Sequence, residues 1–178
     1  MPMGLGMHLE VKLKREKNML IFCLSEFWLG LTKVATLTLS GHWELQVELE
    51  DYDGVQYIAR YNRFRVKFDG PFCIKVSGYD SANSTLQDSL SYHNGQPFST
   101  SDDDNDSSSS NCAAQYGAWW HRSCHHSNLN GYNYFDEDLP ETSTYYANGI
   151  IWRNEENVPG HNYYFSWPKV EMKIRKID

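Results

Sequence analysis

The chain has 178 residues, a formal net charge of −7 at neutral pH, and 15% aromatic residues, with 12 Tyr, 6 Trp and 8 Phe. That length suits one domain, or one domain with an appendage. The acidic balance excludes nucleic acid as a primary partner, because phosphate binding needs a basic surface, and no run approaches the ~20 apolar residues of a membrane span.

In chain order, residues 8–14 (HLEVKLK) alternate apolar and polar side chains, a strand pattern. Residues 19–24 (MLIFCL) follow a basic stretch but are too short for a secretion signal, and no small-residue cleavage site follows them. Trp43–Leu49 alternates again and runs into Glu50-Asp51-Tyr52-Asp53-Gly54, after which Tyr57–Tyr61 and Arg63–Phe68 resume the pattern, so a β-hairpin is predicted around Asp53-Gly54. Cys73–Val76 reads as a further short strand. The chain closes on Lys169–Arg175, another clean alternation that predicts a terminal strand tied into a sheet. The basic residues of both ends are read as solvated faces.

Between about residues 77 and 149 periodicity almost vanishes, and an irregular stretch of that length is usually functional or disordered. Its Trp, Tyr and Cys content argues against disorder. Within it, Asp102, Asp103, Asp104 and Asp106 precede a serine run. Calcium takes roughly 6–8 oxygen ligands. Asp104 and Asp106, with the carbonyls of Ser108 and Ser110, repeat every second residue and can face one point. A calcium-binding helix–loop–helix is excluded, since a loop starting at Asp104 has Ser109 where Gly is needed and Gln115 where Glu is needed. A solvated acidic-serine linker has the same composition. Of the four cysteines, Cys112 and Cys124 bracket a short loop, where a disulfide would contribute roughly 2–4 kcal/mol. Cys23 and Cys73 lie in apolar runs and are read as buried free thiols. The spacing holds no zinc signature. Trp119 and Trp120 are read as core, and His126 as a surface residue.

FWLGL at 27–31, LQVELEDYDG at 45–54, SLSYHNGQPFST at 89–100, DNDSSSSNCA at 104–113, GAWWHRSCHHSNLNG at 117–131, YYANGIIW at 145–152 and VEMKIR at 170–175 together resemble the fibrinogen C-terminal globular domain. The family includes the domains of ficolins, tachylectins, angiopoietins and tenascins. The resemblance implies an extracellular α+β domain with one calcium site and a ligand pocket beside it. Calcium would be held by Asp104, Asp106 and the carbonyls of Ser108 and Ser110, and Cys112 would pair with Cys124. The acetyl-binding pocket of some members would fall on Tyr116, Cys124, His125, Tyr146 and Ala147, with His161 or Tyr163 closing it. The resemblance also implies a cis peptide at Ser123–Cys124.

On this reading residues 1–25 are a segment outside the family. Residues 26–178 are a partial domain, with a sheet part at 26–76, a calcium and pocket region at 77–165 and a terminal strand at 168–176. The family's first subdomain is not recognisable, so a truncated or alternatively spliced form is one expectation, and HLEVKLK is a candidate to cover the sheet edge left by it. The function expected is a non-enzymatic, calcium-dependent, lectin-like module for acetylated glycans of the pattern-recognition type. A secreted location is expected although no signal peptide is recognisable. The alternatives are an extracellular protein-binding module and a truncated form without function. No collagen-like or coiled-coil segment for oligomer assembly is present. Of the two glycosylation sequons, Asn83 is expected to be used and Asn105 to be spared.

Overall fold

The computed structural model describes residues 19–23, 29–132, 147–153 and 165–177. Its frame is an antiparallel five-stranded sheet in the order β1-β7-β2-β3-β4, built from β1 (Met19–Cys23), β2 (His42–Glu50), β3 (Gln56–Val66), β4 (Ile74–Tyr79) and β7 (Lys169–Ile177). The rest is two short helices, α1 (Leu31–Thr38) and α2 (Cys112–Tyr116), a 3-10 turn at Ser91–His93, and a small ribbon of β5 (Ser127–Asn128) with β6 (Ile151–Trp152). This is the α+β arrangement the sequence predicts.

The alternation of β2 does what a period of two requires. Trp43, Leu45, Val47 and Leu49 are buried, while the residues between them are half-buried. Across the ladder Leu45, Val47 and Leu49 stand opposite Ile174, Met172 and Val170 of β7, so three apolar pairs line one face. The predicted hairpin forms over Asp51–Val55. The Asp51 carboxylate caps it, accepting from the N–H groups of Asp53 at 3.0 Å and Val55 at 2.8 Å. On the outer face the basic residues of β7 meet acids of β2, Lys169 with Glu50 at 2.9 Å and Arg175 Nε with Glu44 at 2.9 Å. The C-terminal basic run is thus one half of a cross-strand charge ladder. A cleft of about 350 Å³ on this face is lined by Glu44, Gln46, Arg60, Lys173 and Arg175, which largely bond to one another or to Glu48 and Glu171.

Burial changes phase in mid-strand. Asn62 and Arg63 of β3 are both exposed, and so are Ser77 and Gly78, the residues across from them. Gly78 has φ +68°, and a Cβ there would stand 3.0 Å from that of Asn62. Glycine lets both strands turn at one level. Tyr61 and Phe64 are both buried as a result.

Two features depart from the sequence reading. Leu31–Thr38 is a helix although it holds three Thr and a Val, which are weak helix formers. Tertiary contacts decide it: Val34, Ala35 and Thr38 are buried, and the Thr38 hydroxyl accepts from the Val66 N–H of β3 at 3.1 Å. The second is β1, which comes from the segment placed outside the family yet pairs antiparallel with β7 from Met19↔Arg175 to Cys23↔Glu171. HLEVKLK lies outside the described residues. Cys73 is free but half-buried, not fully buried as expected, because it closely follows the exposed Phe68–Pro71 turn.

One backbone contact joins the loop region to itself. A Cβ on Gly131 would lie 1.8 Å from the carbonyl oxygen of Gly149, where Tyr132 bridges Gly149. Gly54, with φ +79°, has open space around its Cβ position. Gly131→Ala should therefore lower the urea midpoint by the equivalent of ~3 kcal/mol or more, and Gly54→Ala by only about 1–2 kcal/mol, the cost of its left-handed backbone to a residue with a Cβ. Equal losses in the two variants would contradict the packing described.

Candidate functional site

Four stretches meet beside the sheet. The acidic loop runs from Ser101 to Ser110, α2 follows, the Gly117–Cys124 loop returns, and the β5–β6 ribbon closes the arrangement. The Cys112–Cys124 disulfide forms as expected, with its Cα atoms 5.2 Å apart. Trp119 and Trp120 are core residues, 0% and 2% exposed.

The acidic loop is folded on its own carboxylates. Asp104 Oδ1 accepts from the Asp106 N–H at 3.2 Å. Asp106 accepts from Ser108 N–H at 2.7 Å and from Cys112 N–H at 2.8 Å, one bond to each oxygen. Asp106 therefore ties the loop to the first residue of α2 and to the disulfide. Ser107 N–H donates to the Arg122 carbonyl at 2.8 Å, a second tie to the same cysteine loop. Asn105 is inside the turn, its amide donating to Phe98 and Asp103 carbonyls. Asp102 turns away to accept from the Thr100 hydroxyl. No cluster of three or more His, Cys, Asp or Glu side chains occurs among the described residues. Any cation here would be held by two carboxylates and neutral oxygens. A carboxylate offers about four acceptor sites, so Asp104 and Asp106 keep capacity beyond these bonds, and an all-oxygen donor set fits a hard cation.

Tyr116 closes α2, and its ring meets His125 edge to face at 4.8 Å. Two asparagines hold the backbone around Tyr116. Asn128 donates to the Tyr116 carbonyl at 2.6 Å and Asn130 to that of Ala118 at 2.8 Å. Asn128 is fully buried, and neither asparagine stands out in the sequence as a positioning residue. His125 is buried and interacts with the backbone of Ala147, so two of the expected pocket residues come together. Tyr146, His161 and Tyr163 lie outside the described residues.

No cis peptide occurs among the described residues, which corrects the expectation at Ser123–Cys124. Cys124 instead has φ +52°, and its N–H points to Cys112 Sγ at 3.1 Å. That donor is turned into the disulfide loop. Ala147 has φ +59°, so Cys124, which precedes His125, and Ala147, whose backbone meets it, both hold a left-handed backbone that costs a non-glycine residue about 1–3 kcal/mol.

The sequence reading passed over two histidines that organise the site. His93 is wholly buried. Its Nδ1–H donates to the Trp120 carbonyl at 2.8 Å, and Nε2 accepts from the N–H groups of His126 at 3.2 Å and Ser127 at 3.1 Å. His121, also buried, donates from Nε2 to the Gly117 carbonyl at 2.8 Å and packs beside the Tyr116–His125 pair, its ring centroid 6.5 Å from that of Tyr116 and 5.7 Å from that of His125. Burial pushes its affinity for a proton down, and the fields of Asp106 and Asp104 partly offset that. The carboxylates of the acidic loop therefore act electrostatically on the aromatic cluster. His126 is half-buried, contrary to the surface reading. Tyr92 stacks on its ring at 3.7 Å and Arg153 Nη1 bonds its Nε2 at 3.0 Å.

Burial takes both His93 and His125 down to a pKa of about 3. For His93 there is a further cause, since a proton on Nε2 would face two N–H donors. Both groups bind a proton more weakly folded than unfolded, where the value is near 6.5. The unfolded chain therefore takes up protons first, and stability present above about pH 6.5 is lost as pH falls toward 3. At pH 5 the two together should have cost roughly 4 kcal/mol relative to pH 7. Urea unfolding at the two pH values checks this, and an unchanged or higher midpoint at pH 5 would contradict it.

The comparisons with known proteins agree with this fold. Residues 10–177 match the family model described as fibrinogen beta and gamma chains, C-terminal globular domain. That range begins inside the segment that the sequence reading set apart. The chain is 40% identical over 159 residues to human (Homo sapiens) microfibril-associated glycoprotein 4, covering 85% of this chain and 57% of that protein. To human ficolin-3 it is 45% identical over 152 residues, covering 85% of this chain and 47% of that one. The chain thus spans about half the length of these relatives. The fibrinogen-like globe domain of human ANGPTL6 superposes with a TM-score of 0.75 at 36% identity, covering 87% of this chain and 66% of that domain. The chain belongs to the fibrinogen C-terminal globular domain family.

Proposed function

We propose that this domain is an extracellular recognition module that binds the N-acetyl group of acetylated glycans, with calcium as a structural cofactor. The carrying observation is the Tyr116–His125 contact, beside a disulfide whose cysteine loop is tied twice to the acidic loop. A tyrosine face gives a flat apolar wall for a methyl group, and the half-buried position of Tyr116 leaves part of its ring within reach of a ligand. The strained backbone at Cys124 and Ala147 supports the same reading, because left-handed non-glycine residues gather at binding sites. Tyr146 and His161 would complete the wall.

Asp104, Asp106 and the carbonyls of Ser108 and Ser110 would hold the ion. Calcium would fix the acidic loop and, through Asp106 and Ser107, the cysteine loop that presents Tyr116 and His125. Two carboxylates support only weak binding, of the order of 10⁻⁴–10⁻³ M. A small pocket also binds weakly by itself, so avidity would come from several copies. The module is read as a binder and not an enzyme: both His93 nitrogens are engaged in structural bonds, and Cys112 and Cys124 are tied in the disulfide. Among the described residues no helix is long and apolar enough to cross a membrane.

Retention on immobilised N-acetylglucosamine, with calcium and with chelator, tests this directly. Retention should need calcium and be released by free acetate. Tyr116→Ala should abolish it while the thermal shift given by calcium remains. A folded protein with no acetyl-dependent retention would refute the glycan reading and leave the protein-binding alternative standing.

A further inference from the structure

The outer face of the sheet carries its charges unevenly. Between β2 and β7 each base meets an acid, Lys169 with Glu50, Lys173 with Glu48 and Arg175 with Glu44. Between β3 and β4 this is not so. Arg65 stands directly across from Lys75, and Arg63 lies two residues back on the same face, opposite Ser77. All three bases are exposed, and none makes an ion pair with an acid among the described residues. Like charges set directly opposite one another destabilise a strand pair. The chain as a whole has a net charge of −7, yet this hairpin keeps a basic face that no acid neutralises.

The same hairpin ends in an apolar tip. Phe68 is 62% exposed, the largest value among the described large apolar side chains, and Gly70 and Pro71 beside it are exposed too. The tip is held from within. Lys67 N–H donates to the Cys73 carbonyl at 2.9 Å, Phe98 N–H to that of Pro71 at 2.8 Å, and Trp120 Nε1 to that of Phe72 at 2.7 Å. Phe72 has φ +50°, a left-handed backbone that persists only where the surroundings enforce it, and its ring meets that of Phe68 edge to face at 5.3 Å. Phe68 is therefore held outward on a fixed turn. Lys67 and Asp69 neutralise each other at 3.4 Å, so the tip adds little net charge. Leu39, 57% exposed, stands at the same end of β3, since the hydroxyl of the preceding Thr38 accepts from the Val66 N–H at 3.1 Å.

We propose that the β3–β4 hairpin docks on an anionic phospholipid surface, with Phe68 entering the interface, Arg65 and Lys75 meeting the headgroups, and Arg63 extending the positive field behind them. Phe68 lies three residues beyond Arg65, roughly 10 Å along an extended chain. Apolar groups at a bilayer interface reach roughly 5–10 Å into the boundary between headgroups and acyl chains. With the ring at that depth, the two bases stand at headgroup level. Basic side chains favour an anionic surface, and a fixed, exposed aromatic ring favours one with an apolar interior. An acidic peptide would use the bases and leave the ring in water. The proposal does not rest on the acetyl pocket.

Co-sedimentation tests this, with vesicles of phosphatidylcholine alone and of phosphatidylcholine with a quarter phosphatidylserine, at fixed calcium. Partitioning should favour the anionic vesicles and weaken with added salt. Phe68→Ala should lower it by roughly tenfold, Arg65→Ala and Lys75→Ala by roughly fivefold each, and Phe68→Trp should keep it. Val55→Ala changes an exposed apolar residue at the opposite end of β3 and should have no effect. Urea unfolding checks that each variant is folded, and Phe68→Gln replaces the alanine variant if that fails to fold. The proposal is overturned if anionic vesicles bind no better than neutral ones, if folded variants at Phe68, or at both Arg65 and Lys75, bind as the parent does, or if Val55→Ala weakens binding equally. Binding to soluble polyglutamate that needs Arg65 and Lys75 but not Phe68, without vesicle binding, would assign the face to an acidic protein and overturn it as well.

Discussion

A single buried imidazole holds the loop region together. His93 stands at the end of a 3-10 turn and binds three backbone groups of another segment, the Trp120 carbonyl and the N–H groups of His126 and Ser127. In a region with little regular structure, backbone polar groups have few ladder partners, and each buried one left unpaired costs about 1–3 kcal/mol. His93 satisfies three at once. It can do so only as the neutral tautomer with the proton on Nδ1, because the Trp120 carbonyl can only accept and the two amides can only donate. Tyr116, His121, Cys124 and His125 of the cysteine loop all lie within a few residues of one of those three groups.

Around that hub the loops are fixed by short-range devices, each with its own physical basis. Asp106 joins the acidic loop to α2, the disulfide closes α2 onto the cysteine loop, and Asn128 and Asn130 hold the return strand to Tyr116 and Ala118. Gly131 lets the ribbon approach Gly149 at a distance no side chain would allow. The sheet contributes a different kind of stability, through apolar pairs such as Leu45 with Ile174 on one face and charge pairs on the other. The recognition surface is thus carried by polar, conformation-specific bonds, while most cohesion comes from the buried aliphatic and aromatic cluster beneath.

The parts of the fold legible in the sequence were those with a period. β2, β3 and β7 announce themselves by alternation, and the hairpin by Asp53-Gly54. α1 is hidden because Thr32, Val34, Thr36 and Thr38 disfavour a helix by themselves, and burial against β3 reverses that preference. β1 is hidden because its pairing with β7 is a long-range choice with no local mark. In the site, the disulfide and the Tyr116–His125 pairing could be read through the family resemblance, since both lie inside dense motifs. His93, His121, Asn128 and Asn130 could not be, because their roles depend on which backbone groups the fold brings to them. The backbone at Cys124 was misread for the same reason: its left-handed turn follows from the disulfide and the Arg122 bridge, not from residue type.

The most direct test of the hub is amide hydrogen exchange in the parent protein and in a His93→Phe variant, which keeps an aromatic ring of similar bulk. The account predicts that the His126 and Ser127 amides lose protection together in the variant, while Leu45 and Val47 of β2 stay protected. Unchanged protection at His126 and Ser127, or equal loss across β2, would contradict it.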